Sequence, residues 1–323
     1  MIIVFGVFLL TLLVITAVAI VRTDNLFVAV MLSSIFSLLM AANLFILDAA
    51  DVALTEAAVG AGITGVIFLS ALALTAKHEK SKTPIRWLII GIVSTTVLAL
   101  FYASFDQPQL GDPNAPIHLH VAPWYLEKTP ELVGIPNVVT AVLATFRGYD
   151  TLGEVFVVFV ASIGVLFVLG AGGKTSLTGP VNQGLRHHLI PKVVGSLIVP
   201  FIILFGLYVQ FHGEYGPGGG FQAGAIIATA FILHALLVGE TAALKAIPRN
   251  VLLIMTVVGA MLYGMVGIVC ILMGGNFLDY SVLHSNPVVG QQMGIIIIEA
   301  GVGITVCGAL LSIFHAFAAR GSR

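Results

Sequence analysis

Nine separate runs of apolar residues, each close to 20 long, constrain this chain more than any other feature. They lie near 2–21, 26–46, 52–76, 86–105, 151–170, 192–211, 221–239, 250–273 and 292–317. About 20 residues is the length a helix needs to cross the hydrocarbon core of a bilayer, where every backbone polar group must be satisfied within the segment. With 59% hydrophobic residues, 9% charged residues and a mean hydropathy of +1.08, the chain has too little polar surface for a water-soluble globule. The expected fold is all-α, a polytopic membrane bundle of nine spans. The first run opens the chain without a basic flank or a small-residue cleavage pattern, and reads as a span rather than a signal peptide.

Nine spans place the termini on opposite sides, and the basic residues divide sharply between the two sets of loops. One set holds twelve of the fourteen, from Arg22 and the Lys77–Arg86 turn to Arg320 and Arg323, whereas the other holds only Lys128 and Arg147. The excess of Lys and Arg on cytoplasmic loops then predicts an outside N-terminus and a cytoplasmic C-terminus. Twelve of the fifteen acids fall on or near the opposite, outer side. The net charge of −1 gives no polybasic surface for nucleic acid. Cys270 and Cys307 each sit inside an apolar run and read as small hydrophobes, so no cofactor is expected.

Polar stretches divide the chain into blocks: three helices over 1–80, two helices over 81–172 around a long outer segment, a Gly- and Pro-punctuated cytoplasmic linker over 173–191, and four helices over 192–323. The outer segment, 106–136, carries several prolines and leads into an amphipathic run from Asn137 to Arg147. No internal repeat is visible, so the inverted-repeat pattern of a self-contained secondary transporter is missing.

Chemistry is expected where ionisable groups enter these spans, because such groups face a bundle interior or a wet cavity and mark ion pathways. In Asp51-Val-Ala-Leu-Thr-Glu56, Asp51 reads as a cap of the third helix, and Glu56 then lies about five residues, ~7 Å, inside it. Gly60 leaves the same face open. In Arg147-Gly-Tyr-Asp150-Thr-Leu-Gly-Glu154, Asp150 and Glu154 share one face. Arg147 is either a counter-charge for transport or half of a structural ion pair with Asp150. Two carboxylates competing for one proton or one Na+ ion titrate together, which suits cation exchange, and transient Na+ contacts are expected at Glu56 and Glu154. Glu299 stands about seven residues, ~10 Å, into the last run, beside Gly301 and Gly303, which allow close helix packing. The turn Pro217-Gly218-Gly219-Gly220 reads as structural, and His234, inside a span, as either a proton relay or a packed polar side chain.

Two familiar patterns carry nothing here. Gly60-Ala-Gly62-Ile-Thr-Gly65 lies inside a span with no strand before it, so it is not a dinucleotide site, and Gly173-Lys174-Thr175 lacks the upstream glycine of a phosphate loop. The histidines show no metal spacing, and no lysine lies at the centre of a span.

Asp-Val-Ala-Leu-Thr-Glu at 51–56, Phe-Arg-Gly-Tyr-Asp-Thr-Leu-Gly-Glu at 146–154, Pro-Gly-Gly-Gly-Phe-Gln at 217–222 and Ile-Glu-Ala-Gly-Val-Gly at 298–303 together resemble Mrp-type multisubunit cation/proton antiporters. The first two blocks are similar to the C-terminal region of the large A subunit and to small membrane subunits of membrane-bound hydrogenases, and the last resembles the B subunit. The resemblance implies a fused subunit of a Na+/H+ antiporter in a prokaryotic plasma membrane. Its partners would be other Mrp-type subunits, including complex-I-like proton-translocating ones that carry the buried lysines missing here, besides lipid, Na+ and H+. It implies ion translocation at Glu56, Asp150, Glu154, Glu299 and Asp51, supported by Arg147 and His234. It does not imply an enzyme. An ion-translocating module of a redox complex and a structural scaffold subunit are the alternatives.

Overall fold

The computed structural model describes residues 2–72, 75, 78, 87–109, 111–169 and 189–321. The charged turn at 77–82, apart from His78, and residues 173–188 of the expected linker lie outside the described residues. Among those residues nine helices are long and apolar enough to cross a membrane, and no strand occurs.

The N-terminal part contains α1 (Ile2–Arg22), α2 (Leu26–Ile46) and a third span in three pieces, α3 (Ala50–Thr55), a π-helical stretch Glu56–Ile63 and α4 (Thr64–Leu72). Asn25 caps α2 by accepting from the amides of Phe27 and Val28. Asp48 takes a left-handed conformation (φ 59°) in the tight turn between α2 and α3, a geometry that Asp tolerates better than most side chains. The cap of α3 is Ala49, with no side-chain bond, and Asp51 sits in the first helical turn. The expectation that Asp51 caps this helix is therefore corrected. The turn at Asp48 starts the helix earlier and frees the carboxylate for a longer-range partner.

Next come α5 (Trp87–Ala103), α6 (Ala122–Leu132), the short α7 (Val138–Ala141) and α8 (Gly148–Leu169). The proline-rich outer segment is partly helical, because Pro123 falls in the first turn of α6, where a missing N–H costs nothing. The run after Asn137 is not one regular helix. It passes from α7 into a π turn, Val142–Phe146, closed by the Arg147 amide donating to the Val142 carbonyl at 2.8 Å. π turns are uncommon and tend to mark functional positions.

The C-terminal part comprises α9 (Leu189–His212), α10 (Gly220–Val238), α11 (Glu240–Ala246), α12 (Arg249–Leu272) and α13 (Pro287–Gly321). α13 packs along α10 and α12 and reaches α8 and α4, which makes it the axis of the bundle. Small residues set these distances. A Cβ on Gly301 would meet the Gly259 carbonyl at 2.8 Å, and one on Gly308 would meet Thr256 Oγ1 at 2.7 Å. One buried cluster joins Val133, Ala144 and Val155 to Tyr263, Ile295 and Ile298, and a second joins Ile63 to Ile232, Cys307 and Leu311. The core is therefore shared between the first, middle and last parts of the chain. Two tyrosines with no exposed surface fasten the middle part to the last. Tyr263 donates to the Gly148 carbonyl at 2.8 Å and Tyr280 to the Ala144 carbonyl at 3.1 Å. Both cysteines are free and buried.

Candidate functional site

An acid-bearing cavity of about 650 Å³ opens where the three parts meet. α3 contributes Asp51 and Thr55, the middle part Thr140, Thr151 and Glu154, and the last part the backbone of Gly218 to Gly220 with Gln222 and Glu299. Val52, Leu143, Val157, Phe221, Ile298 and Val302 supply much of the apolar remainder of the wall. Three carboxyl groups with hydroxyl and amide neighbours in an otherwise oily chamber offer oxygen ligands for a cation, or sites for exchangeable protons.

Local sequence explains how each group arrives. Glu154 lies six residues past the start of α8 at Gly148, ~9 Å along the helix, and Glu299 lies twelve residues past the start of α13 at Pro287, ~18 Å along it. The last span begins five residues earlier than the apolar run indicated, so Glu299 stands farther along its helix than the sequence suggested. Its neighbours are backbone. A Cβ on Gly220 would overlap the carbonyl oxygen of Glu299, and one on Gly219 would lie 3.3 Å from Glu299 Oε1. Gly219 also has φ 121°, a conformation open to glycine and strained for other residues. The Pro217–Gly220 turn is thus more than a connector, because it forms the wall against which the deepest acid rests.

A hydrogen-bond lattice binds the cavity rim. The Asn137 side-chain amide donates to Asp51 Oδ1 at 3.2 Å, to the Gly213 carbonyl at 3.0 Å and to the Gly216 carbonyl at 2.9 Å. Thr140 Oγ1 donates to the same Gly213 carbonyl at 2.7 Å. Gln222 Nε2 donates to Thr55 Oγ1 at 2.8 Å, and Thr55 Oγ1 donates to the Asp51 carbonyl at 3.0 Å.

The remaining expected residues lie apart from this cavity. Glu56 opens the π stretch, and its carboxylate folds over Gly60 toward Ser37 of α2, where a Cβ on Gly60 would meet Ser37 Oγ at 2.7 Å. It is not among the residues that line this cavity. Asp150 pairs with Arg147 at 2.6 Å, with side chains 47% and 62% exposed, outside the lining. His234 is half-buried on α10 and also outside it. Among the described residues no group of three or more His, Cys, Asp or Glu side chains has metal-holding geometry.

Sequence reading passed over two further groups. Glu214, in the glycine-dense turn, has a buried Oε1 without a hydrogen-bond partner among the described residues, and burial holds its carboxyl above the usual range. At the far end of the last part, Glu240 Oε1 accepts from Arg249 Nη2 at 3.0 Å and lies 3.9 Å from Nδ1 of the buried His315. The partners of Glu240 come from two other helices, and no local pattern announces them.

Comparison with known proteins places each part. Residues 190–312 match the family described as a domain related to the MnhB subunit of Na+/H+ antiporters. Residues 11–77 match the MbhD family and residues 86–172 the MbhE family, both described as subunits of MBH. A putative antiporter subunit mnhB2 of Staphylococcus haemolyticus is 32% identical over 134 residues, covering 41% of this chain and 94% of the relative. Its counterpart in Staphylococcus aureus is 30% identical over 131 residues, covering 40% and 92%. Among solved structures, a chain of the Mrp complex from a Dietzia species superposes with a TM-score of 0.78 over 96% of this chain at 24% identity, a likeness of fold. This chain spans about a third (34%) of that longer one. A chain of the membrane-bound sulfane sulfur reductase, an archaeal respiratory membrane complex, gives a TM-score of 0.55 at 30% identity, over 71% of this chain and 97% of that one.

Proposed function

The chain belongs to the MnhB family of Na+/H+ antiporter subunits, joined on one polypeptide to segments that match MbhD and MbhE, and from that premise we propose that it handles the transported cation in the cavity lined by Asp51, Glu154 and Glu299. It is an integral membrane subunit of an Mrp-type complex. The observation that carries the reading is the convergence of one acid from each matched segment on a single chamber. Three separately matched segments have no packing reason to bring carboxyl groups to one largely apolar cavity, because an ionisable group in such surroundings is costly to keep.

In this reading Na+ and H+ compete for the same carboxylates. A proton bound at Glu154 or Glu299 removes the charge that holds Na+, and an arriving Na+ favours its release, so one site can exchange the two ions without ever being empty of charge compensation. Transport is secondary, driven by the ion gradients, and the chain performs no covalent chemistry. Its Lys- and Arg-rich loops face the cytoplasm, so the N-terminus is outside and the glycine turn lies toward the outer surface. Glu56 serves a separate position against α2, and Asp150 with Arg147 forms the charged edge of the α8 start. Complex-I-like partner subunits supply the rest of the proton route, since this chain has no lysine at the centre of a span.

Replacing Glu154 or Glu299 by Gln in the assembled complex tests this directly. Na+-dependent proton flux in everted vesicles should fall by at least about tenfold while the co-purifying subunits remain, as expected when an essential charged group is lost from an ion path. Unchanged flux would remove these acids from the path. Parallel loss of assembly and flux would instead support a scaffold role.

A second reading is favoured by the matches to MbhD and MbhE and to the sulfane sulfur reductase complex. Here the same module would move ions in a redox-driven assembly. Flux powered by a reducing substrate, with iron–sulfur subunits co-purifying, would select it over the antiporter.

A further inference from the structure

We propose that Asn137 is the positioning residue that makes the three acid-bearing segments one site, by using both ends of its side-chain amide at once. The inference rests on the antiporter reading above and adds to it a residue that makes no contact with the transported ion.

Asn137 is 8% exposed, and its two ends do different work. Its oxygen accepts from the amides of Val139 at 3.0 Å and Thr140 at 3.4 Å, capping α7. That fixes the direction of the other end, because the oxygen must face the helix N–H groups and the nitrogen must then point away from them. The nitrogen reaches Asp51 Oδ1 and the carbonyls of Gly213 and Gly216, within 2.9–3.2 Å. The Asn137 backbone amide adds a bond to the Glu214 carbonyl at 3.0 Å. One residue therefore joins the MbhD-matching, MbhE-matching and MnhB-related segments.

The turn it grips continues into Gly219 and Gly220, whose backbone abuts Glu299. Its other ligand is the Asp51 carboxylate, a cavity acid. A change in charge or position at Asp51 is thereby passed to the wall that positions Glu299. The Asp51 carboxylate is the charged group bonded at this point, the turn itself contributes the titratable Glu214, bonded here through its backbone carbonyl, and His212, whose Nε2 would lie 3.0 Å from a Cβ on Gly216, while Arg147 is engaged with Asp150.

A helix cap alone would not require asparagine. Asp and Ser cap equally well, but only an amide also supplies two N–H donors, which a carboxylate and two carbonyls share here. Asn137→Asp keeps the shape and the cap while turning the donor end into an acceptor facing three acceptors. Asn137→Ser keeps the cap and removes the donor end altogether.

The test is Na+/H+ exchange by the whole complex in everted vesicles, measured against Na+ concentration and pH, with subunit recovery as the assembly readout. Asn137→Asp should assemble but raise the half-saturating Na+ concentration by about tenfold or more at alkaline pH, as expected for a lost charge-assisted hydrogen bond. The defect should shrink as pH falls, because a protonated carboxyl can donate again. Asn137→Ser should be impaired at every pH. The proposal is overturned if Asn137→Asp matches the parent across the pH range. It is equally overturned if both variants lose assembly and activity together with an unchanged pH profile. Glu154→Gln and Glu299→Gln in the same vesicles separate the two levels. If these abolish exchange while Asn137→Asp is neutral, only the positioning role falls, whereas if they leave exchange intact the cavity reading itself is wrong.

Discussion

The spans Pro287–Ala319 and Trp87–Asp106 are almost equally apolar, with mean hydropathies of 2.2 and 2.1, yet among the described residues 67% of the most apolar 18-residue stretch of the first is buried and none of that of the second. The difference lies in small residues. α13 carries Gly294, Gly301 and Gly308, each pressed against a ring, a carbonyl or a hydroxyl of a neighbouring element, whereas Gly91 of α5 has nothing among the described residues within 4 Å of where a Cβ would stand. In lipid the hydrophobic effect does not drive helices together, so close backbone approach decides which of them pack. Hydropathy therefore identifies what crosses the membrane, and glycine placement identifies what holds this chain together. Among the described residues, none covers the faces of α5.

The largest effect that would sharpen this contrast is expected at Gly220. A Cβ there would overlap the Glu299 carbonyl, and neither backbone can yield. Gly220→Leu should destabilise the folded chain by about 3 kcal/mol or more and prevent recovery of a monodisperse complex. Gly91→Leu should shift the thermal midpoint of the detergent-purified chain by no more than a surface change does, within about 0.5 kcal/mol. Equal destabilisation by the two would break the comparison. If Gly91→Leu spares this chain but strips subunits from it, a partner helix packs on α5.

A smaller effect is expected at Tyr263, which ties the packed C-terminal bundle to α8. Removing its hydroxyl costs the bond to the Gly148 carbonyl. That carbonyl still heads the α8 hydrogen-bond ladder, so it is not orphaned, and the loss should stay near the low end for a buried bond, about 1 kcal/mol. Tyr263→Phe should lower the thermal midpoint of the purified complex without dissociating its subunits. A change beyond about 3 kcal/mol would mean that the hydroxyl supports more than this one carbonyl.

The spans and the acids were legible because length and apolarity are local properties. The cavity was not, because its parts meet across long separations. Asn137 reaches Asp51 over 86 positions, and Gln222 reaches Thr55 over 167. Nothing in the neighbourhood of Asp51 distinguishes a cap from a ligand of a distant amide, and the local partner is the one a sequence offers. The contact of the glycine turn with Glu299 was hidden for the same reason, since the two meet only in the folded chain. The several prolines of the outer segment do not prevent a helix there, since Pro123 falls in the first turn of α6 and Pro130 lies near its end. Glu56 and Glu154 look equivalent in sequence, each a few residues inside a span. They diverge because the fold of the Glu56 side chain over Gly60 turns it toward α2.

The smallest effect concerns what dense packing costs an acid at its margin. Glu214 lies outside the spans, in the turn gripped by Asn137, with one carboxylate oxygen buried and unpartnered among the described residues. Burial raises its pKa in the folded chain. A folded state that holds this proton more tightly than the unfolded chain loses stability as pH rises, from the ordinary carboxylate range up through the raised value, and is unaffected below it. Glu214→Gln removes the ionisation and fits the same space. It should therefore raise the thermal midpoint at neutral and alkaline pH, with the advantage vanishing toward about pH 4, and the effect should be modest because the side chain is only partly buried. The measurement is a pH series of thermal melts on parent and variant complexes. A midpoint lowered by Glu214→Gln at alkaline pH would show instead that the ionised carboxylate has a stabilising partner in the assembly.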